Sequence, residues 1–228
     1  LVKKVVIADS CATYANAIFD NYESMNTFSL ILGAVYFAFQ IYGDFSGYSD
    51  MAIGVALLLG FKLPTNFRSP YKSTSITDFW RRWHISLSTW LKDFLYISVG
   101  GNRYGTFAGF LFPSLFFIGA IVWGVSFSKT SNIPLLIAVA SAIVFVFTFL
   151  FSREKEKTMY TNVNLMTTML LGGLWHGASL RFIIWGALHG MALAIHKIFL
   201  EYYPPSKRKI FFLTPFLKII GILVTFHF

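Results

Sequence analysis

Residues 107–151 read FAGFLFPSLFFIGAIVWGVSFSKTSNIPLLIAVASAIVFVFTFLF and contain one charged side chain, Lys129. A charge at the bilayer centre costs roughly 2.5–3.5 kcal/mol on insertion scales, and about 20 apolar residues cross the hydrocarbon core. The stretch is therefore long enough for two crossings, near 107–127 and 133–151. The polar segment Ser126 to Pro134 between them reads as a hairpin tip. The next charges outward are basic on both sides, Arg103 and Arg153. They lead into the clusters Lys62, Arg68, Lys72, Arg81, Arg82 and Arg153, Lys155, Lys157, with Lys207, Arg208 and Lys209 further on. By the positive-inside rule this side is cytoplasmic and the Lys129 tip lies outside.

The rest of the chain agrees with a membrane class. Of 228 residues, 56% are hydrophobic and 13% charged, about half the charge of an average soluble domain. Aromatics at 19% exclude intrinsic disorder and low-complexity classes. The net charge of +9 suggests topology and an anionic lipid surface rather than nucleic acid, for which there is no binding motif. A single cysteine, Cys11, excludes an internal disulfide framework. The chain starts at Leu1 without a signal peptide and stops inside an apolar run, so a piece of a longer protein is expected.

Other charge-poor stretches are Ser24 to Gly43, Met51 to Phe61, Thr158 to Leu180, Phe182 to His196 and a run from Ile210, giving six or seven membrane segments in all. One helix through both of the first two would be about 50 Å long. A break is therefore expected near Gly43 to Gly47, with Asp50 capping the second piece. Asp44 at membrane depth would need a partner, an Arg or a Tyr hydroxyl, and lines a polar path in the functional reading. Ser46 is out of register for a Gly-x-Ser-x-Gly elbow, and there is no phosphate loop or dinucleotide fingerprint. Without internal repeats or linkers, residues 1–228 read as one membrane domain, with 106–157 an inserted hairpin.

Three places carry candidate chemistry. Ser75 with Asp78 three residues on resembles a capping box, so a helix should start near Ile76 and run to about Ile97. At 100° per residue it would place Trp80, Trp83, Leu87, Leu91, Phe94 and Leu95 on one face, with His84 buried among them. His84 is then either a core histidine making one hydrogen bond or an acid/base or ligand-orienting group. In Leu170-Leu-Gly-Gly-Leu-Trp-His-Gly177, the glycines around His176 weaken the helix. That leaves either a glycine-mediated helix crossing with His176 as glue, or a break facing a cavity where a neutral His176 takes a proton from a hydroxyl. His189 and His196 share a face, with Trp185 one turn before His189. No carboxylate or Cys lies at ligand spacing, so packing or hydrogen bonding is expected of them rather than metal binding.

The blocks Phe39-Gln-Ile-Tyr-Gly-Asp-Phe-Ser-Gly-Tyr-Ser-Asp50, Leu63-Pro-Thr-Asn-Phe-Arg-Ser-Pro-Tyr71, Phe79-Trp-Arg-Arg-Trp-His-Ile-Ser-Leu-Ser-Thr-Trp-Leu-Lys-Asp93, Gly100-Gly-Asn-Arg103 and Gly172-Gly-Leu-Trp-His-Gly-Ala178 closely resemble the membrane-bound O-acyltransferases, and within them the alginate O-acetyltransferase branch. The resemblance covers about residues 1–105 and 158–200. It implies an all-α polytopic protein of a bacterial inner membrane, with broken and re-entrant helices around a central tunnel or funnel. His176 matches the family's central histidine and His84 its second, making both catalytic candidates. Trp175, His189 and Asp44 become candidates for lining the substrate tunnel.

The resemblance further implies no bound cofactor, acetyl-CoA or another acyl thioester as cytoplasmic donor, the lipid bilayer as surroundings and a periplasmic acetyltransferase partner. The product would be an O-acetylated cell-surface polysaccharide. Familiar members pass almost directly from the Gly-Gly-Asn-Arg block to the Asn164-Leu-Met-Thr-Thr-Met169 block, whereas about 50 residues intervene here. The resemblance also implies further helices at both ends, without which this piece is expected to be inactive. Two alternatives stay open: D-alanyl transfer to teichoic acid, whose branch shares both histidines, and a transporter that uses the glycine break and histidines as a conduit.

Overall fold

The computed structural model describes residues 1–126, 133–152, 154–177, 179–204 and 214–226. Lys129, Arg153, Lys207, Arg208, Lys209 and His227 lie outside the described residues, as does most of the hairpin tip. Among the described residues the protein is all-helical, without strands. It forms two compact units, Leu1–Arg68 and Ser69–Phe228.

In the first unit a wide π-helical segment, Val2–Ala8, runs into α1 (Asp9–Asp20), and a short connection leads to α2 (Thr27–Leu58). The Asn26 side chain caps α2 by accepting from Ser29 N at 2.8 Å. The expected break near Gly43 to Gly47 is absent, because α2 is one helix of 32 residues, about 48 Å long. Gly43 and Gly47 serve a different purpose. A Cβ on Gly43 would lie 2.9 Å from the Lys3 carbonyl oxygen, and one on Gly47 3.1 Å from the Lys4 nitrogen. The glycines let the Val2–Ala8 backbone lie directly on α2. The acids are answered from the same segment: Lys4 pairs with Asp44, and Lys3 meets Asp50 at 2.6 Å. Asp44 thus has a partner, a lysine rather than an Arg or Tyr, and Asp50 is an ion-paired residue inside a helix instead of a cap.

The second unit holds α3 (Ile76–Trp80), α4 (Ile85–Trp90), α5 (Phe107–Ser126), α6 (Ile133–Phe151), α7 (Lys155–His176), α8 (Leu180–Tyr202) and α9 (Thr214–Phe226). Its centre is the α7–α8 pair. Met166, Leu170, Ala187 and Met191 form one buried cluster, against which Phe116 of α5 and Ile137, Val144 and Phe145 of α6 pack. Ile76, Met169, Ala192 and Leu193 form another. A Cβ on Gly173 would stand 2.2 Å from the Phe182 oxygen, and one on Gly186 2.3 Å from the Met169 oxygen, so the two backbones touch.

Among the described residues three helices are long and apolar enough to cross a membrane, α2, α6 and α8, with the apolar part of α5 (Phe107–Trp123) somewhat shorter. The 24–43 and 51–61 stretches lie together in α2, and part of the run from Ile210 lies outside the described residues. The 158–180 stretch falls out because its lack of charge hides polarity: Thr158, Thr161, Asn162, Asn164, Thr167 and Thr168 of α7 are all buried. Thr158 bonds the Ser152 hydroxyl, Thr161 the Asn102 side-chain oxygen and Thr168 the Asn164 carbonyl one turn back, while two others reach backbone carbonyls of neighbouring segments. Asn164 Nδ2 donates to Gly101 O and Tyr104 O, both at 2.9 Å, and Thr167 Oγ1 donates to Gly109 O at 2.5 Å. The outward side chains of α5 and α6, such as Ile118, Ile121, Leu136 and Ile143, remain exposed and apolar, as a lipid-facing surface requires.

Gly186→Ala should force the α7–α8 pair apart and cost about 1–3 kcal/mol, the usual range for overpacking. In a detergent-solubilised thermal melt the variant is expected to unfold at lower temperature, while Gly54→Ala, where a Cβ meets nothing within 4 Å, should be neutral or stabilising.

Candidate functional site

The element carrying His84 begins as its sequence suggests: Ser75 Oγ accepts from Asp78 N at 3.2 Å and α3 starts at Ile76. It does not continue to Ile97 as one helix. The chain leaves the helix after Trp80, and His84 adopts φ 41° and ψ 58°, the left-handed region that costs a non-glycine residue about 1–2 kcal/mol. A new helix runs from Ile85 to Trp90 and then widens into π turns over Leu91–Tyr96. Two side-chain bonds hold the break. Arg82 Nε donates to Asp78 Oδ1 at 2.9 Å, and Ser88 Oγ donates to Trp83 O at 3.0 Å. The single apolar face expected from 100° spacing is consequently lost: Leu87 and Leu91 are buried, whereas Phe94 is exposed.

The break turns His84 towards the end of α7. Its ring centroid lies 6.4 Å from Trp175, which is 5.1 Å from His176. His176, the last residue of α7, is held from the other side by α8, nearly parallel to Phe182 at 6.0 Å and edge-on to Trp185 at 5.4 Å. Trp185 continues the series to His189 at 4.5 Å, and Trp80 closes against both Trp185 and His189. His84, Trp175, His176 and His189 therefore belong to one aromatic cluster, with His189 as a buried inner layer. His196 goes elsewhere, bonding through Nδ1 to Thr77 Oγ1 at 2.9 Å. Asp44 belongs to the first unit and is ion-paired there.

In front of His84 opens a cavity of about 370 Å³, lined also by Ser86, Leu87, Trp90 and Trp175. Its indoles are open, Trp90 at 51% and Trp175 at 60% exposure. Burial holds the His84 imidazole below its usual value, and the charge that His176 would carry lowers it further. At neutral pH His84 is therefore uncharged, with one N–H to donate and one lone pair to accept. Among the described residues no group of three His, Cys, Asp or Glu could hold a metal. Ser86, Trp90 and Phe182 escaped the sequence reading because their relevance depends on the backbone break and on the α7–α8 hairpin.

The model of the membrane-bound O-acyltransferase family matches residues 1–128. The chain belongs to that family. Its 228 residues are 40% identical to a peptidoglycan O-acetyltransferase of Helicobacter pylori over the whole chain, and 32% of that protein is covered. It is 44% identical over 196 residues to a probable alginate O-acetylase AlgI of Pseudomonas aeruginosa, covering 86% of this chain and 28% of the other. A teichoic acid D-alanyltransferase of Bacillus subtilis is more distant, 26% identical over 197 residues. The chain thus spans about a third of the length of the curated relatives it matches.

The strained backbone at His84 has a measurable signature. His84→Gly should be more stable than His84→Ala by about 1 kcal/mol, since glycine adopts the left-handed region without the Cβ penalty. Equal melting temperatures for the two would contradict this geometry.

Proposed function

We propose that the full-length protein is an O-acetyltransferase of the bacterial inner membrane that moves an acetyl group from a cytoplasmic thioester, such as acetyl-CoA, to a hydroxyl of a cell-surface polysaccharide. The observation that carries this reading is the meeting of His84 and His176 across Trp175 beside the cavity. His176 takes the proton of the acceptor hydroxyl, and the resulting oxygen attacks the thioester carbonyl carbon. The tetrahedral oxyanion accepts the His84 N–H. As the carbon–sulfur bond breaks, His176 returns its proton to the departing thiolate, leaving an ester and a free thiol. The basic clusters on one side suit an anionic donor, and a periplasmic acetyltransferase would act on the product side.

The names of the relatives support this acceptor class, alginate in one case and peptidoglycan in the other. The peptidoglycan enzyme matches along the entire chain, which favours peptidoglycan as the second acceptor to test. Thiol release from acetyl-CoA by purified full-length protein, assayed with each glycan, distinguishes acetyl transfer from D-alanyl transfer, which would leave acetyl-CoA unused, and from transport without chemistry.

His176→Ala should abolish acceptor-dependent thiol release at normal expression, and retained turnover would refute its role as base. His84→Ala should lower kcat by about 10²–10³ with little change in KM, as for loss of an oxyanion donor. The pH dependence has a definite sign. Because His84 is lowered, its neutral form persists below the usual histidine value of about 6.5. Any His84-dependent acid limb in the kcat profile should therefore fall below that pH and be missing in His84→Gln, which remains neutral throughout.

A further inference from the structure

The Gly100-Gly-Asn-Arg103 block takes no part in the histidine cluster, yet its turn is rigidly built. Gly100 and Gly101 have φ of 118° and 57°, and a Cβ on Gly100 would lie 2.0 Å from the Tyr104 oxygen. Asn164 clamps the turn through Gly101 O and Tyr104 O. The Asn102 side-chain oxygen accepts from Tyr96 OH at 2.6 Å and from Thr161 Oγ1 at 3.3 Å. Both bonds use the oxygen, so the amide is oriented and its NH₂ remains available.

Asn102 and Arg103 line a cavity of about 550 Å³ with the start of α7. Its carboxylates are already engaged. Glu154 accepts from Lys157 Nζ at 2.5 Å, which holds it below the usual carboxylate range, and Glu156 accepts from Tyr160 OH at 3.0 Å. Arg103 and Lys155 have no carboxylate partner among the described residues, and the Lys155 amine sits 5.9 Å over the Phe149 ring. Behind them the buried Lys197 amine has no hydrogen-bond partner among the described residues and interacts electrostatically with Glu154 and Lys157.

We propose that this cavity is a phosphate-binding site, in which the Arg103 guanidinium, the Lys155 amine and the Asn102 amide bind the oxygens of a phosphate ester. A guanidinium fork matches two phosphate oxygens, an ammonium supplies a point charge, and the pinned turn fixes the fork's root before the ligand arrives. The site is separate from the cavity at His84. Two phosphate esters are chemically suited to it: the phosphates of a nucleotide-bearing thioester donor, and the headgroup of an anionic lipid.

The test uses full-length protein in detergent. Coenzyme A binding is measured by calorimetry, and retention of phosphatidylglycerol against phosphatidylcholine, supplied in equal amounts, by native mass spectrometry. Arg103→Gln/Lys155→Gln should weaken one of these by about tenfold, as expected for losing charge-assisted hydrogen bonds. Lys92→Gln, an exposed cation outside the cavity, should change neither. A loss in coenzyme A affinity identifies the donor as the source of the phosphate, and a loss confined to phosphatidylglycerol identifies the lipid. No loss in either arm, or an equal loss in Lys92→Gln, overturns the site. Should the double variant fail to fold, Lys155→Gln alone is judged by the same outcomes. Binding is read without turnover, so His176→Ala should bind coenzyme A normally, and the site stands or falls independently of the proposed base.

Discussion

The contact on which the second unit depends is the backbone touch between α7 and α8 at Gly173 and Gly186. Helix pairs usually stand 8–10 Å apart with side chains between them. Here the carbonyls of Phe182 and Met169 occupy the space where side chains would be. The close approach aligns the buried clusters on both sides of the crossing and sets the last residue of α7 against the first turns of α8. His176 meets Phe182 and Trp185 for that reason, so the glycine crossing expected from the sequence ends at an exposed His176.

The polarity of α7 follows from a second constraint. Buried amides and hydroxyls are costly unless hydrogen-bonded. The Asn164 amide nitrogen and the Thr167 hydroxyl meet that requirement by binding carbonyls of the Gly100–Tyr104 turn and the start of α5. From Asn164 to His176 is 12 residues of continuous helix, about 18 Å. A single rod thus positions the histidine cluster at its end and the Gly-Gly-Asn-Arg turn along its side.

Much of this was legible in the sequence. Charge-free length marked α5 and α6 to within a residue or so at the boundaries described, and Ser75 marked the start of α3. Glycines around His176 signalled a close approach. The misreadings share a cause, in that a local pattern was interpreted without its neighbour. A helix through Gly43 and Gly47 looks too long for one span, which suggests a break, whereas the Val2–Ala8 segment needs the space these glycines leave and its lysines pair with Asp44 and Asp50. Regular spacing from Asp78 to Ile97 suggested one amphipathic helix, since nothing local announces a left-handed histidine. The polar content of α7 does not register as charge, because threonine and asparagine carry none.

The left-handed conformation of His84 sharpens the functional reading through magnitudes. It costs about 1–2 kcal/mol, and the bonds Arg82 to Asp78 and Ser88 to Trp83 supply roughly that much in return. A continuous helix would avoid the cost but would direct position 84 along the same face as Trp80, into the packing around Trp185 and His189. The break instead brings the imidazole to Trp175 and the open cavity. For the reaction proposed, one preorganised oxyanion donor contributes about 2.7–4 kcal/mol, more than the backbone strain consumes. On the function proposed, the strain is returned where the left-handed residue is a histidine that borders a cavity.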